Sequence, residues 1–317
     1  MNIRVSILIP VYKAEKYIAK CLRSVLNQSY ENIEYVLVND ATPDKSMIIA
    51  NQVIREFPNR ESSCTFVNNE TNKGIAETRN ILLEKATGDY IYFVDSDDFI
   101  EPNTISTFVN YATKENADII RSEYFKFYNG KSYPIHRKIN NTKDLIAHCL
   151  CNDYGMESLW LLFIKRELFT RNLLQFSKGI NGCEDILMTV KLFYYTNALV
   201  DIYKPFYHYR LDNTNSITHQ HQSFRMHSIE AIKEIISFLK EKNIYKKYQN
   251  TILNLMFTCK QHFLTNKEIR DVDKYINIFP ESNSCYRLYK YSMKQQVLFY
   301  LAEHRQVMLL KMLLLLF

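Results

Sequence analysis

Glycine is scarce in this sequence, with six in 317 residues. So few leave little room for long flexible linkers and give each glycine present more weight. No internal stretch approaches the ~20 apolar residues of a membrane-spanning helix. The apolar run at Val5–Val11 is followed at once by Lys13, Glu15 and Lys16, so it reads as a buried strand and not as a signal-peptide core. The seven cysteines are an odd number with no Cys-x-x-Cys pair, and Cys149 and Cys151 stand too close for a metal knuckle. Reduced thiols in a cytoplasmic compartment are expected. Basic residues form no block of nucleic-acid size. The net charge of +6 is modest for this length and permits attraction to anionic lipid or to a phosphorylated substrate.

What is present is ordinary in amount and informative in order. Hydrophobic residues make up 47% and charged residues 23%, with 23 Tyr and 19 Phe, as in a folded soluble protein. On length alone ~2 domains is a fair prior. In the first half, short apolar runs at Val5–Val11, Ile33–Asn39, Cys64–Asn68 and residues 90–94 alternate with helical patterns at 15–27, 43–57 and 74–86. Near-continuous apolar strands separated by helices predict an α/β fold, a doubly wound and mostly parallel sheet with helices on both faces. Ligands of such folds bind at the carboxyl ends of the strands. An acidic pair, Glu184-Asp185, opens an amphipathic helix through Tyr195, and a Tyr-rich strand follows at 203–210. Beyond residue 222 the pattern is helical, at 226–242, 246–264 and 295–316.

Polar residues stand at each predicted strand end. The fourth strand runs into Asp95-Ser96-Asp97-Asp98. Concentrated carboxylates of this kind suit a hard divalent cation, since Mg²⁺ typically uses one or two carboxylates plus substrate phosphates. A solvated loop or a helix cap ahead of Pro102 is the plain alternative. Tyr12 after the first strand can stack on a nucleobase or simply pack. Asp40 after the second can accept the imide N–H of uracil or cap the helix starting near Pro43. Asn72-Lys73-Gly74, with Arg79 beyond, offers a helix N-terminus and positive charge to an anion. Glu184-Asp185, after a glycine-flanked turn, can cap its helix or supply a general base.

The strings ILIPVYKAEKYIAKCLRSVLNQSY, VLVNDATPDKS, NKGIAETRN, GDYIYFVDSDDFIEP, GCEDILM and YRLDNTNSIT occur in the order seen in family-2 glycosyltransferases, which the chain resembles over residues 3–220. The resemblance implies a GT-A fold over residues 1–222, with a nucleotide-binding half at 1–118 and an acceptor-binding half at 119–222. It further implies inverting transfer from a nucleotide-diphosphate sugar, a UDP-sugar foremost, with Mg²⁺ or Mn²⁺. In these terms Pro10, Val11, Tyr12, Glu15 and Asp40 line the nucleoside site, and Lys73, Gly74 and Arg79 lie near the nucleotide. Asp95 and Ser96 meet ribose or donor, and Asp97 binds the metal. Asp185 is the base, with Glu184 and His208 on the acceptor side. His208, Arg210 and Ser216 resemble a basic segment over the diphosphate, and His219 or His221 would add a metal ligand. Asn39 departs from the family, which commonly has Asp there. No QxxRW motif of processive synthases is present, so one sugar per encounter is expected.

Two other readings compete. A sugar nucleotidyltransferase would carry a Gly-rich, basic loop after strand one, where this chain has Val-Tyr-Lys-Ala-Glu. An inactive partner in a polysaccharide assembly complex would not need Asp97 and Asp185. The Leu-rich 307–317 segment, within the helical region 223–317, suggests contact with the inner face of the plasma membrane, where lipid-linked acceptors reside, with a second subunit, or with the chain's own core.

Overall fold

Every residue of the first strand, β1 (Val5–Val11), is buried, so it has no solvent face and is covered on both sides. In the computed structural model, which describes residues 2–136, 144–151, 158–213 and 221–315, the further strands are β2 (Ile33–Asn39), β3 (Cys64–Asn68), β4 (Tyr90–Phe93), β5 (Phe99–Ile100), β6 (Ile119–Tyr128), β7 (Lys131–Ile135), β8 (Leu162–Lys165) and β9 (Leu199–Arg210). They join in one sheet of order β3-β2-β1-β4-β8-β6-β9-β5, with β7 paired to β6. The first four strands are parallel. Beyond β4 the pairing becomes mixed, because β8 runs antiparallel to both β4 and β6 while β9 runs parallel to β6. The expected α/β sheet with helices on both faces is present.

Polar residues hide β6 from a reading of the sequence. Arg121, Ser122 and Glu123 are all buried, which breaks the apolar signature of a central strand. The two charged residues are paired: Arg121 meets Asp201 of β9 at 2.5 Å, and Glu123 takes His136 Nδ1 at 2.7 Å. The β6–β9 register also shifts around Glu123, so no simple alternation survives.

The C-terminal region is helical as expected, beginning at His221–Glu241 and Tyr245–Lys260. Its apolar core is continuous with that of the sheet; Tyr194 of the helix Glu184–Tyr195, for example, packs edge-on against Phe238 at 5.4 Å. The expected single helix over 295–316 is two, Met293–Glu303 and Val307–Leu315. Arg305 between them adopts φ 54°, a left-handed conformation that an uninterrupted helix does not contain.

One junction positions the helix that faces the site. Gly74, at φ 82°, precedes the helix Ile75–Lys85. An added Cβ there would come within 2.4–2.6 Å of the Asn181 side chain, whose Oδ1 accepts from Ala76 N at 3.2 Å. Glycine is therefore required twice, for its backbone angle and for the close approach. Gly74→Ala is expected to destabilise the protein by about 1–3 kcal/mol, read from denaturant unfolding. In an Asn181→Gly background the loss should be smaller, because only the backbone strain remains. Equal losses in both backgrounds would remove the steric part of this account.

Candidate active site

The acidic turn after β4 is held from behind by the end of β9. Asp98 is 1% exposed, and its carboxylate accepts from the Tyr207 hydroxyl and from Arg210 N, each at 2.7 Å. The Tyr207 oxygen in turn accepts from Asp95 N at 3.1 Å. Arg210 Nε donates to the Asp97 carbonyl at 2.8 Å, and Asn213 Nδ2 to Asp97 Oδ2 at 2.7 Å. Asp98 is thus the structural acid of the three, and Ser96 is buried beside it. Burial, then the neighbouring Asp97 and Asp95 charges, raise the Asp98 pKa well above the usual carboxylate range. Burial and Asp95 raise that of Asp97 as well. Such crowding favours an added cation.

A second acid pair faces this turn. Cys183, at φ 58°, ends the loop and lets Glu184 and Asp185 open their helix. Arg79, 106 residues before Asp185 in sequence, joins the two regions. Its Nη1 donates to Asp185 Oδ1 and, at 2.7 Å, to Glu184 Oε1, while Nη2 lies 3.4 Å from Asp95 Oδ1. Burial pushes the Asp185 pKa up, Arg79 pulls it down, and the Glu184 and Asp95 charges push it up again, to about 7. Glu184 is raised too, first by burial. On Arg79 burial opposes the charge, yet Asp185, Glu184 and Asp95 outweigh it and keep the guanidinium protonated. Side-chain exposure is 21% at Asp185 against 11% at Glu184, so Asp185 is the better placed to meet an acceptor.

The nucleoside candidates gather at the carboxyl ends of β1 and β2. Pro10 and Val11 are buried in β1, while Tyr12 just beyond is 42% exposed and free to stack on a ring. Glu15 Oε2 accepts from Lys45 N at 3.2 Å. Asp40 is buried, and its carboxylate accepts from Asn69 Nδ2 (2.9 Å), Lys73 N (2.7 Å) and Gly74 N (2.9 Å). It ties down the loop before the helix Ile75–Lys85, and not the helix near Pro43, leaving about one of its four lone-pair sites for a ligand. The side chain of Asn39 both donates to Asn68 Oδ1 (3.0 Å) and accepts from Thr42 N (2.9 Å). A carboxylate could not make the first bond, which explains an amide where the family commonly has an acid.

His208 is a correction. Expected on the acceptor side and over the diphosphate, it is sandwiched between Phe99 and Phe125 at 4.1 and 4.4 Å. Its ring nitrogens are taken by Ser132 Oγ (2.8 Å) and Glu101 Oε1 (2.7 Å). Burial lowers its pKa, so it holds β9 against β5 and has no nitrogen left for a substrate. Ser216, His219 and the side chain of His221 lie outside the described residues. Tyr207, Asn213 and Asn181 were not singled out from sequence. Their only signal was adjacency, since Tyr207 and Asn213 flank Arg210 and Asn181 precedes the acid pair.

Among the described residues no three His, Cys, Asp or Glu side chains form a cage for a metal ion. The acidic turn still fits a cation that takes most of its ligands from phosphate oxygens and water: Asp97, bonded by Asn213 through one oxygen, is only partly buried. Nor is any described helix long and apolar enough to cross a membrane.

Comparison with known proteins agrees with this architecture. The family model described as glycosyl transferase family 2 matches residues 6–173. A Streptococcus pneumoniae serotype 4 protein, glycosyltransferase GlyA, is 28% identical over 249 residues, covering 74% of this chain but 34% of the relative. An uncharacterized glycosyltransferase of Haemophilus influenzae is 41% identical over 120 residues, 38% of this chain and 46% of the relative. The chain thus spans less than half the length of these two. The putative glycosyltransferase EpsH of Bacillus subtilis is 26% identical and is matched nearly end to end, over 96% of this chain and 92% of its own. Among solved structures, Staphylococcus aureus TarS 1–349 in complex with UDP-GlcNAc superposes with a TM-score of 0.69 at 20% identity, covering 98% of this chain and 90% of that one. That likeness is one of fold. With its model covering more than half of the sequence, the family is established: this chain belongs to glycosyl transferase family 2.

Proposed function

We propose that the chain transfers one sugar, with inversion, from a nucleotide-diphosphate donor, a UDP-sugar foremost, to a hydroxyl of a glycan or lipid-linked acceptor in bacterial surface-polysaccharide or teichoic acid synthesis. The observation that carries the reading is that Arg79 joins the acidic turn carrying Asp97 to the Glu184-Asp185 pair, at the carboxyl ends of parallel strands. The named relatives support the biological setting. They include EpsH, a poly(ribitol-phosphate) β-glucosyltransferase of Bacillus spizizenii at 30% identity over 194 residues, and the TarS complex with UDP-GlcNAc.

In this reading Tyr12 stacks on the base and Asp97 holds a divalent cation, Mg²⁺ or Mn²⁺. When bound, such an ion would neutralise the charge left on the departing diphosphate. Asp185 takes the proton of the acceptor hydroxyl as its oxygen bonds to the anomeric carbon and the bond to the diphosphate breaks. A mannosyltransferase of the same fold, from Pyrobaculum calidifontis, is described in complex with GDP-Man and Mn²⁺, which supports a metal of this kind.

The C-terminal helix supports a place for the acceptor. Met308, Leu309, Met312 and Leu315 are exposed on Val307–Leu315, with Arg305 just before the helix and Lys311, paired with Asp273 at 3.0 Å, on it. Apolar and basic side chains so placed suit the surface of an anionic bilayer.

Five outcomes test this reading. Hydrolysis and transfer assays over UDP-, GDP- and dTDP-sugars should find activity with a UDP-sugar. Asp185→Asn should lower turnover by about 10²–10⁴-fold while retaining UDP affinity; Asp97→Asn should abolish the gain in UDP affinity that Mn²⁺ provides, by calorimetry. Full activity in Asp185→Asn would sink its assignment as base. A base must be deprotonated, so kcat/KM should fall as pH drops below the Asp185 pKa of about 7, and a profile flat down to about pH 5 would contradict it. Finally, replacing Met308, Leu309, Met312 and Leu315 with Ser should abolish cosedimentation with phosphatidylglycerol vesicles. Unchanged partitioning would remove the membrane contact.

A further inference from the structure

The family resemblance implies a nucleotide contact for Arg79, but its surroundings point elsewhere. The residue is 3% exposed. Its guanidinium lies 5.8 and 5.7 Å from the ring centres of Phe93 and Phe176. Nη1 carries two hydrogens, and its two acceptors are the acid pair, Glu184 at 2.7 Å and Asp185. Nη2 reaches towards Asp95 at 3.4 Å. The fork therefore points into the acids that flank the reacting centre.

The fold also fixes the distance between Arg79 and these acids. Its helix, Ile75–Lys85, is bound twice to the segment that leads into Glu184-Asp185. At one end Asn181 Oδ1 accepts from Ala76 N. At the other, Asn80 Nδ2 donates to the Phe176 carbonyl at 2.9 Å and its Oδ1 accepts from Phe176 N at 2.8 Å. Helix and acid-bearing loop are thus one unit, with Arg79 between the two clamps.

We propose that Arg79 is a positioning residue for the base: it orients the Asp185 carboxylate towards the donor-binding turn and touches neither nucleotide nor sugar. The inference rests on the functional reading above. A planar guanidinium with Nη1 on both acids and Nη2 turned towards Asp95 fixes the direction of its hydrogens in a way a flexible ammonium cannot. The groups facing Asp185 are Arg79 from the helix Ile75–Lys85, Glu184 from its own helix, Asp95 from the acidic turn, and the Leu159 N–H from the turn before β8. Arg79 is the cation among them. Without it Asp185 would face two carboxylates, hold its proton more tightly and be available as a base only at higher pH.

The test uses the full chain and whichever of UDP-N-acetylglucosamine, UDP-glucose or UDP-galactose the wild type turns over. Kinetics of Arg79→Met and Arg79→Lys are followed between about pH 6 and about pH 9, with UDP–Mn²⁺ affinity measured alongside. Arg79→Met should lower kcat by about 10–100-fold near neutral pH, keep UDP affinity within about twofold, and move the acid limb of the profile up by about one unit or more. The deficit should shrink at high pH. Arg79→Lys keeps the charge but not the fork, so its acid limb should lie between those of the wild type and Arg79→Met while kcat stays depressed. A fall in UDP affinity matching the fall in kcat would make Arg79 a nucleotide ligand and overturn the inference. So would an equal loss at every pH with an unmoved acid limb, the mark of a merely structural role. If Arg79→Met does not fold, Arg79→Lys decides by the same criteria. Absence of turnover in the wild type would instead defeat the functional reading itself.

Discussion

Crowded negative charge is the constraint on which the rest of this site depends. Asp95, Asp97, Asp98, Glu184 and Asp185 gather around the guanidinium groups of Arg79 and Arg210. Two unit charges 4 Å apart interact by about 4 kcal/mol at the effective dielectric typical near a protein surface. Five carboxylates against two cations cannot all be ionised without cost. The pKa values of Asp97, Asp98, Glu184 and Asp185 are all raised, first by burial and then by the carboxylates beside them. In the proposed function, these are the groups that would meet a cation and a proton.

Holding the carboxylates there requires a scaffold that is itself satisfied. β9 supplies it through Tyr207, which bridges the two ends of the acidic turn, and Arg210, which bonds the carbonyl of one acid and the carboxylate of the next. Behind them Trp160 stacks on Tyr207 at 4.4 Å and on Tyr209 at 5.4 Å, and His208 fills the slot between Phe99 and Phe125. The abundant aromatics therefore have a local purpose. They give the polar end of β9 a rigid apolar backing, so that the turn is fixed in position before any ligand arrives.

Different parts of the molecule were legible to different degrees. β1 and β2 are read residue for residue, because strands buried on both faces need unbroken apolar runs, and the half-exposed edge strand β3 is bounded by the helical periods on either side. Glu184–Tyr195 is equally plain, since its acids stand at the helix start, where the dipole favours them. β6 is not, because its buried Arg121 and Glu123 are compatible with a core only through partners that local pattern does not reveal. The break at Arg305 is hidden too, as nothing in its residue type calls for a left-handed backbone.

By itself the sequence determined the order of strands and helices through β4, the family, and the residue types at those strand ends, because these follow from local pattern and motif order. Which of those residues are tied up by other side chains was decided only by the tertiary structure. Asp98 and His208 look as functional as Asp97 in the sequence, yet both are consumed by contacts from distant strands. Arg79 meets Asp185 across 106 residues of chain. Charge acts through space and not along the chain, so the balance of charge at Asp185 exists only once the helix Ile75–Lys85 and the acid-bearing loop have been clamped together.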